Sequence, residues 1–127
     1  MEFREQQAIY LQIAEYVCEQ ILLKQWLPGS KIISIRELAV LMEVNPNTVQ
    51  RAYDFLQQLQ IITNRRGVGY FVEEQAVTAV TAFRKEQFIN NELPQFFRNM
   101  YLLDIPPEDI KARYEKFVKQ NFKESRS

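Results

Sequence analysis

The chain has 127 residues, with 16 basic and 16 acidic side chains, one cysteine and no histidine. That length suits one compact domain, or a small domain with an appendage, and excludes two full domains. A composition of 46% hydrophobic and 25% charged residues at zero formal net charge excludes intrinsic disorder, and the missing histidines exclude Ser-His-Asp and Cys-His catalysis and histidine-based metal sites.

The chain opens on Met1–Gln7, an acidic and polar stretch with no apolar core, so it is not read as a signal peptide. Residues 6–23 then read as an amphipathic helix: Ile9, Ile13, Val17 and Ile21 recur every four positions, and Tyr10, Ala14 and Leu22 widen the stripe. Cys18 lies in this helix and reads as a small core residue, with no second cysteine to pair with. Leu27-Pro28-Gly29-Ser30 is a turn, with Trp26 beside it as a packing anchor. Ser34 and Glu37 have the spacing of a capping box, which opens a short helix from Ile35 to about Met42 with Leu38, Ala39, Leu41 and Met42 inward.

Asn45 and Pro46 suit the cap and first position of a third helix over about 46–58. Val49, Ala52, Leu56 and Leu59 share one of its faces, while Asn47, Gln50, Arg51, Asp54 and Gln58 lie opposite. Two helices joined by so short a turn form a helix-turn-helix pattern. Ile61–Asn64 and Tyr70–Val72 read as strands flanking a basic turn, Arg65-Arg66-Gly67-Val68-Gly69. Three helices followed by a basic-tipped hairpin is the winged-helix order. Residues 24–72 carry six basic and three acidic residues, a local surplus that permits a nucleic-acid footprint.

From Glu74 the pattern is helical. Val77, Val80 and Phe83 lead into Leu93, Phe96, Phe97, Met100 and Leu103, and Pro94 either kinks one long helix or splits it. Ile105-Pro106-Pro107 is a break. A last helix follows with Ile110, Tyr114, Phe117 and Val118 inward, ending near Phe122, and residues 123–127 read as a frayed tail. No apolar run approaches the ~20 residues that span a bilayer, so no membrane partner is expected.

Tyr10-Leu-Gln-Ile, Leu27-Pro-Gly-Ser-Lys-Ile, Ser34-Ile-Arg-Glu-Leu-Ala, Val44-Asn-Pro-Asn-Thr-Val-Gln-Arg-Ala-Tyr and Arg65-Arg-Gly-Val-Gly-Tyr-Phe-Val together resemble the GntR family of bacterial transcription regulators, over roughly residues 7–72. The short helical remainder resembles the YtrA subfamily, which has only a small helical dimerisation segment. Three positions depart from the family pattern. Ile33 stands where proline is usual, and Glu43 and Gln60 stand where glycine is common after a helix. If Glu43 adopts a left-handed conformation, the strain is about 1 kcal/mol or somewhat more.

Arg36, in the first turn of the second helix, suits a phosphate, and the resemblance also implies a DNA contact there; a surface ion pair is the alternative. Asn47, Thr48, Gln50 and Arg51 occupy the first two turns of the presumed recognition helix, whose N-terminal residues meet base edges. Asn and Gln suit adenine, and Arg suits guanine or phosphate; a helix-start hydroxyl bonding locally is the alternative for Thr48. Arg65 and Arg66 suit minor-groove or phosphate contact, with Gly67 and Gly69 allowing close approach of the backbone. Tyr53, Tyr70 and Phe71 read as core.

Residues 73–127 hold eight of the sixteen aromatics, more than two helices can bury against each other. Leu93, Phe96, Phe97, Met100, Leu103, Tyr114 and Phe117 are therefore the candidate dimerisation residues. The expected architecture is mainly α with a small β-hairpin: a winged helix-turn-helix DNA-binding domain over 1–73, then a helical dimerisation segment over 74–127. The expected function is that of a cytoplasmic, sequence-specific transcription regulator, a repressor on a two-fold DNA operator as a homodimer. The resemblance adds control of an ABC transporter operon, a role frequent in the subfamily. A winged helix used for protein docking without DNA is the alternative. No enzyme activity, metal or cofactor is expected, and no effector can be named.

Overall fold

The four-residue apolar spacing of Ile13, Val17 and Ile21 forces one face of the first helix inward, and all three side chains are buried in the computed structural model, which describes residue 3 and residues 7–122. The frayed tail expected at 123–127, and most of the polar N-terminal stretch, lie outside the described residues. Helix α1 spans Ile9–Leu22, α2 Ile35–Met42 and α3 Pro46–Gln58; strands β1 (Ile62–Arg65) and β2 (Gly69–Val72) follow, then α4 (Ala76–Gln87), α5 (Leu93–Leu102) and α6 (Pro107–Phe122). The chain is thus mainly helical with one antiparallel hairpin, as expected, and α3 packs on both α1 and α2.

The helix starts follow from local chemistry. The Glu37 amide donates to Ser34 Oγ at 3.1 Å and the Ser34 amide donates to Glu37 Oε1 at 3.3 Å, closing the capping box. These bonds from Ser34 hold the Glu37 carboxyl below the usual carboxylate range. At α3, the Asn47 amide donates to Asn45 Oδ1 at 2.7 Å, and Pro46 takes a first-turn position that needs no N–H.

Helix ends are less orthodox. Lys24, Glu43, Gln60 and Asp104 all have φ between 54° and 63°, a region that favours glycine. Each sits in the same bonding pattern, in which the next amide reaches back five residues and its own amide reaches back three. After α2 these are Val44 N–H to Ala39 O at 3.0 Å and Glu43 N–H to Val40 O at 3.2 Å; after α3, Ile61 N–H to Leu56 O at 3.0 Å and Gln60 N–H to Gln57 O at 2.9 Å. Carbonyls otherwise left open at the helix end are thereby satisfied, which holds the left-handed residue despite its Cβ. Gln60→Gly is therefore expected to stabilise the protein by about 0.5–1 kcal/mol, the relief of strain less the extra freedom of an unfolded glycine. A thermal melt should show a rise of a few degrees, and a fall would mean that the side chain at position 60 contributes more than its backbone costs.

In α2, Leu41 is 64% exposed, together with Val40 at 75%, whereas Leu38, Ala39 and Met42 are buried; the expectation that Leu41 faces inward is corrected. With about 100° of turn per residue, positions 38, 39 and 42 cluster on one arc, and 41 falls beyond its edge. In α3 the buried face is Val49, Ala52, Tyr53 and Leu56. Tyr53 is fully enclosed, its hydroxyl donates to the Ile33 carbonyl at 2.8 Å, and burial raises its pKa above the ordinary tyrosine value. Cys18 is also fully buried, and burial pushes its thiol up to about 11. It is protonated at neutral pH and packs as a small apolar group, as the sequence suggested. Trp26, half-buried, meets Tyr16 edge-on with ring centroids 6.2 Å apart.

The turn Leu27–Ser30 has Pro28 and Gly29 at its centre, with Gly29 at φ 81° and the Ser30 amide donating to Leu27 O at 3.0 Å, the geometry of a type II turn. It aims residues 29–32 along β2. Gly29 N–H bonds Val72 O at 2.8 Å, Ile32 N–H bonds Tyr70 O at 2.9 Å, and Val72 N–H bonds Ser30 O at 2.9 Å. Sequence periodicity does not show this third, bridge-like partner of the hairpin.

The chain divides into one compact unit up to Lys85 and a second from Glu86. Ala76 and Val80 of α4, which lie past the boundary expected at 73/74, are fully buried in the core of the first unit, and Phe83 packs edge-on against Phe55 at 5.6 Å. In the second unit Pro94 neither sits inside a regular helix nor follows a loop. A π turn, Phe88–Glu92, joins α4 to α5, the Leu93 amide reaching Phe88 O, and Pro94 lies in the first turn of α5. Helices α5 and α6 bury no residue. Tyr114 and Phe117, expected inward, are 61% and 55% exposed, while Ile110 and Val118 are half-buried. A pair of short helices cannot enclose so many large side chains.

Candidate nucleic-acid interface

Helix α3 presents the expected polar face: Asn47, Gln50 and Arg51 are exposed and Thr48 is half-buried. Asn47, Thr48 and Arg51 line one open cleft of about 310 Å³, whose other wall is Ala8, Ile9 and Tyr10 at the start of α1. The Arg51 guanidinium carbon lies 3.9 Å from the centroid of the Tyr10 ring. A cation over an aromatic face at an exposed site is held by about 0.5–1 kcal/mol, so Arg51 is oriented while keeping its charge toward solvent. Gln50 is held more closely still. Its Nε2 donates to Asp54 Oδ1 at 2.9 Å, one helical turn on, and to the Tyr70 hydroxyl at 3.4 Å, on β2. This contact between residues twenty positions apart joins the exposed face of α3 to the hairpin.

In the hairpin, Ile62 pairs with Val72 and Arg65 with Gly69, leaving Arg66, Gly67 and Val68 as the loop. Arg65 was expected in the turn; it ends β1 instead, because the Val68 amide closes the loop on the Arg65 carbonyl at 2.8 Å. Gly67, at φ 79°, takes the position in that loop that needs left-handed backbone, and apart from its chain neighbours no residue comes within 4 Å of where its Cβ would be. The Arg65 guanidinium carbon stands 3.9 Å from the Phe71 ring centroid. Phe71 is thus half-buried and faces Arg65, whereas the sequence suggested a core position. Arg66 is exposed at the tip, and Arg36 is exposed in the first turn of α2.

Two further residues belong to this surface: Lys31, which was not singled out from sequence, and Tyr70, which was read as core. Lys31, exposed on the segment beside β2, lies across Gly69: a Cβ built there would stand 2.9 Å from Lys31 Cε. It places a third cation beside the arginines of the hairpin. Tyr70 is half-buried and packs edge-on against Tyr53, with centroids 4.9 Å apart, while its hydroxyl reaches Gln50. The alternation of β2 signals that Tyr70 and Phe71 point to opposite faces, but not which face meets α3. Among the described residues no group of acidic or cysteine side chains could hold a metal ion, and no helix is long and apolar enough to cross a membrane.

A helix-turn-helix with an oriented polar face on its second helix, joined to a hairpin edged with basic side chains, is an arrangement suited to a DNA duplex. Comparison with known proteins agrees with it. Residues 9–72 match the model of the bacterial regulatory proteins of the gntR family. YhcF of Bacillus subtilis (strain 168), an uncharacterized HTH-type transcriptional regulator, is 36% identical over 109 residues, covering 86% of this chain and 88% of its own. The HTH-type transcriptional repressor YtrA of the same organism is 34% identical over 107 residues, covering 84% and 82%. A crystal structure of a putative GntR-family transcriptional regulator from Bacteroides thetaiotaomicron superposes with a TM-score of 0.78 at 43% identity, covering 89% of this chain and 98% of that one. With that family match and these relatives, the chain belongs to the GntR family and is a DNA-binding helix-turn-helix transcription regulator, not an enzyme.

Proposed function

We propose that the protein is a cytoplasmic repressor that binds a two-fold DNA operator as a homodimer and controls an operon, in the manner of YtrA-like regulators an ABC transporter operon. The observation that carries the DNA reading is the polar face of α3 beside a basic-edged hairpin, with Gln50 of the helix in contact with Tyr70 of β2 at 3.4 Å. Asn47, Thr48, Gln50 and Arg51 enter the major groove; Arg36 meets a phosphate at the start of α2; Arg65 and Arg66, with Gly67 and Gly69, follow the adjacent backbone or minor groove. The homodimer is supported by the exposed apolar side chains of the second unit, Phe96, Phe97, Leu103, Tyr114 and Phe117, to which half-buried Leu93 and Met100 add. Repression is supported by the likeness to a relative described as a repressor. Footprinting on the DNA upstream of the protein's own gene tests the whole: two protected half-sites related by a dyad are expected, and an unprotected region would redirect the search to other promoters.

Positioning and reading residues should separate in titrations. Arg36→Ala is expected to weaken binding to all duplexes about equally and lower the salt slope by about 0.9 for each of the two phosphates lost per dimer, about two units in all. Gln50→Ala is expected to relax discrimination at one base position per half-site by about 1–3 kcal/mol. Competition assays showing the reverse pattern would exchange the two roles.

A further inference from the structure

The Gln50 side chain is an amide with two donor hydrogens on Nε2 and one acceptor oxygen, Oε1. Its orientation is fixed chemically: a carboxylate accepts and cannot donate, so the atom 2.9 Å from Asp54 Oδ1 is the nitrogen. The same nitrogen lies 3.4 Å from the Tyr70 hydroxyl. Both contacts of the amino group are thus to protein, and the acceptor oxygen is the atom left for an outside partner. Tyr70 is itself braced, because its ring packs on Tyr53, whose hydroxyl is anchored to the Ile33 carbonyl. Asp54, exposed one turn along α3, would otherwise be an unfavourable charge on a surface that meets phosphates.

We propose that Asp54 and Tyr70 are positioning residues that make Gln50 an acceptor-only reader of one base in the major groove. A free glutamine pairs with adenine through two bonds, one given and one received. A glutamine whose amino group is already engaged can only receive. It accepts from adenine N6 or cytosine N4, and it faces acceptor atoms at guanine and thymine. At the position it reads, the protein takes A or C and excludes G and T. This inference rests on the reading of the chain as an operator-binding protein and specifies what its central glutamine recognises.

The test is selection of bound duplexes from a random-sequence library by the full-length protein, followed by competition with duplexes differing at the single Gln50-dependent position. That position is the one where Gln50→Ala flattens the preference. For the wild type, A and C should bind within about twofold of each other and about tenfold better than G or T, the worth of one base-edge hydrogen bond. Asp54→Ala should lose that exclusion of G and T, and Tyr70→Phe should weaken it in part. Asp54→Asn keeps an acceptor oxygen for Gln50 and should retain the wild-type preference. Both Asp54 variants remove one negative charge, so both should bind all duplexes more tightly; only the alanine should change the base preference. A wild-type preference for adenine alone, or an Asp54→Ala profile identical to wild type, overturns the inference while leaving operator binding intact. Failure of the wild type to select any duplex overturns the operator reading itself.

Discussion

Replacing Phe97 and Phe117 together by glutamate should turn a dimer into a monomer and cost at least about a hundredfold in operator affinity. Both side chains are 55% exposed in the single chain, so the change removes little from the core of either unit and should leave the helical circular-dichroism signal in place. In the proposed homodimer the same side chains are apolar contacts, and each two-fold interface would receive four carboxylates in place of four phenyl rings. The affinity falls because two half-sites bound by linked subunits gain an effective-concentration advantage of about 10²–10⁴ that separate monomers forgo. Light scattering and operator titration read the two effects. The wild type should be dimeric at tens of micromolar, where an interface of about 8 kcal/mol is mostly occupied. A monomeric wild type, or a double variant that stays dimeric, would place the interface elsewhere.

The second large effect is expected in the hairpin. Arg65 and Arg66 are exposed beside a loop whose Gly67 has open space around it, and residues 24–72 carry a basic surplus of only three. Arg65→Ala with Arg66→Ala should free up to two phosphates or groove positions per subunit, hence up to four per dimer. Counterion release lowers the salt slope by about 0.9 for each phosphate that the protein no longer neutralises. The fold should survive, because Ile61, Ile62 and Val72 remain buried and the hairpin keeps its backbone pairing. Phe71 loses the guanidinium that lies over it, a change of about 0.5–1 kcal/mol at such a site. Titrations at several salt concentrations, with a thermal melt as control, measure it; an unchanged slope would show that the hairpin does not touch DNA. Lys31, beside Gly69, is a cation that could compensate, and adding Lys31→Ala would reveal it as a further drop.

What could be read from the chain alone was whatever is decided within three or four residues. The capping box of Ser34 and Glu37, the Asn45–Pro46 start of α3, the Pro-Gly turn before β2's neighbour and the glycine-centred hairpin each carry their bonding partners inside one turn of backbone. Their positions follow from residue type and spacing, and so did the winged-helix order, the buried stripe of α1, the polar face of α3 and the likeness to a known family. The tertiary structure decided matters that depend on what arrives from elsewhere. Leu41 is outward because the arc of α2 that meets α3 is narrow; Glu43 and Gln60 hold left-handed backbone because amides of the following segment bond back across them. Pro94 follows a π turn and takes a first-turn position of α5. Most consequential for the site, Gln50 meets Tyr70 across twenty residues of sequence and Lys31 lies across Gly69. Pairings at that separation depend on how helix and hairpin pack, and the sequence periodicity that marks each element carries no record of which side chains will meet between them.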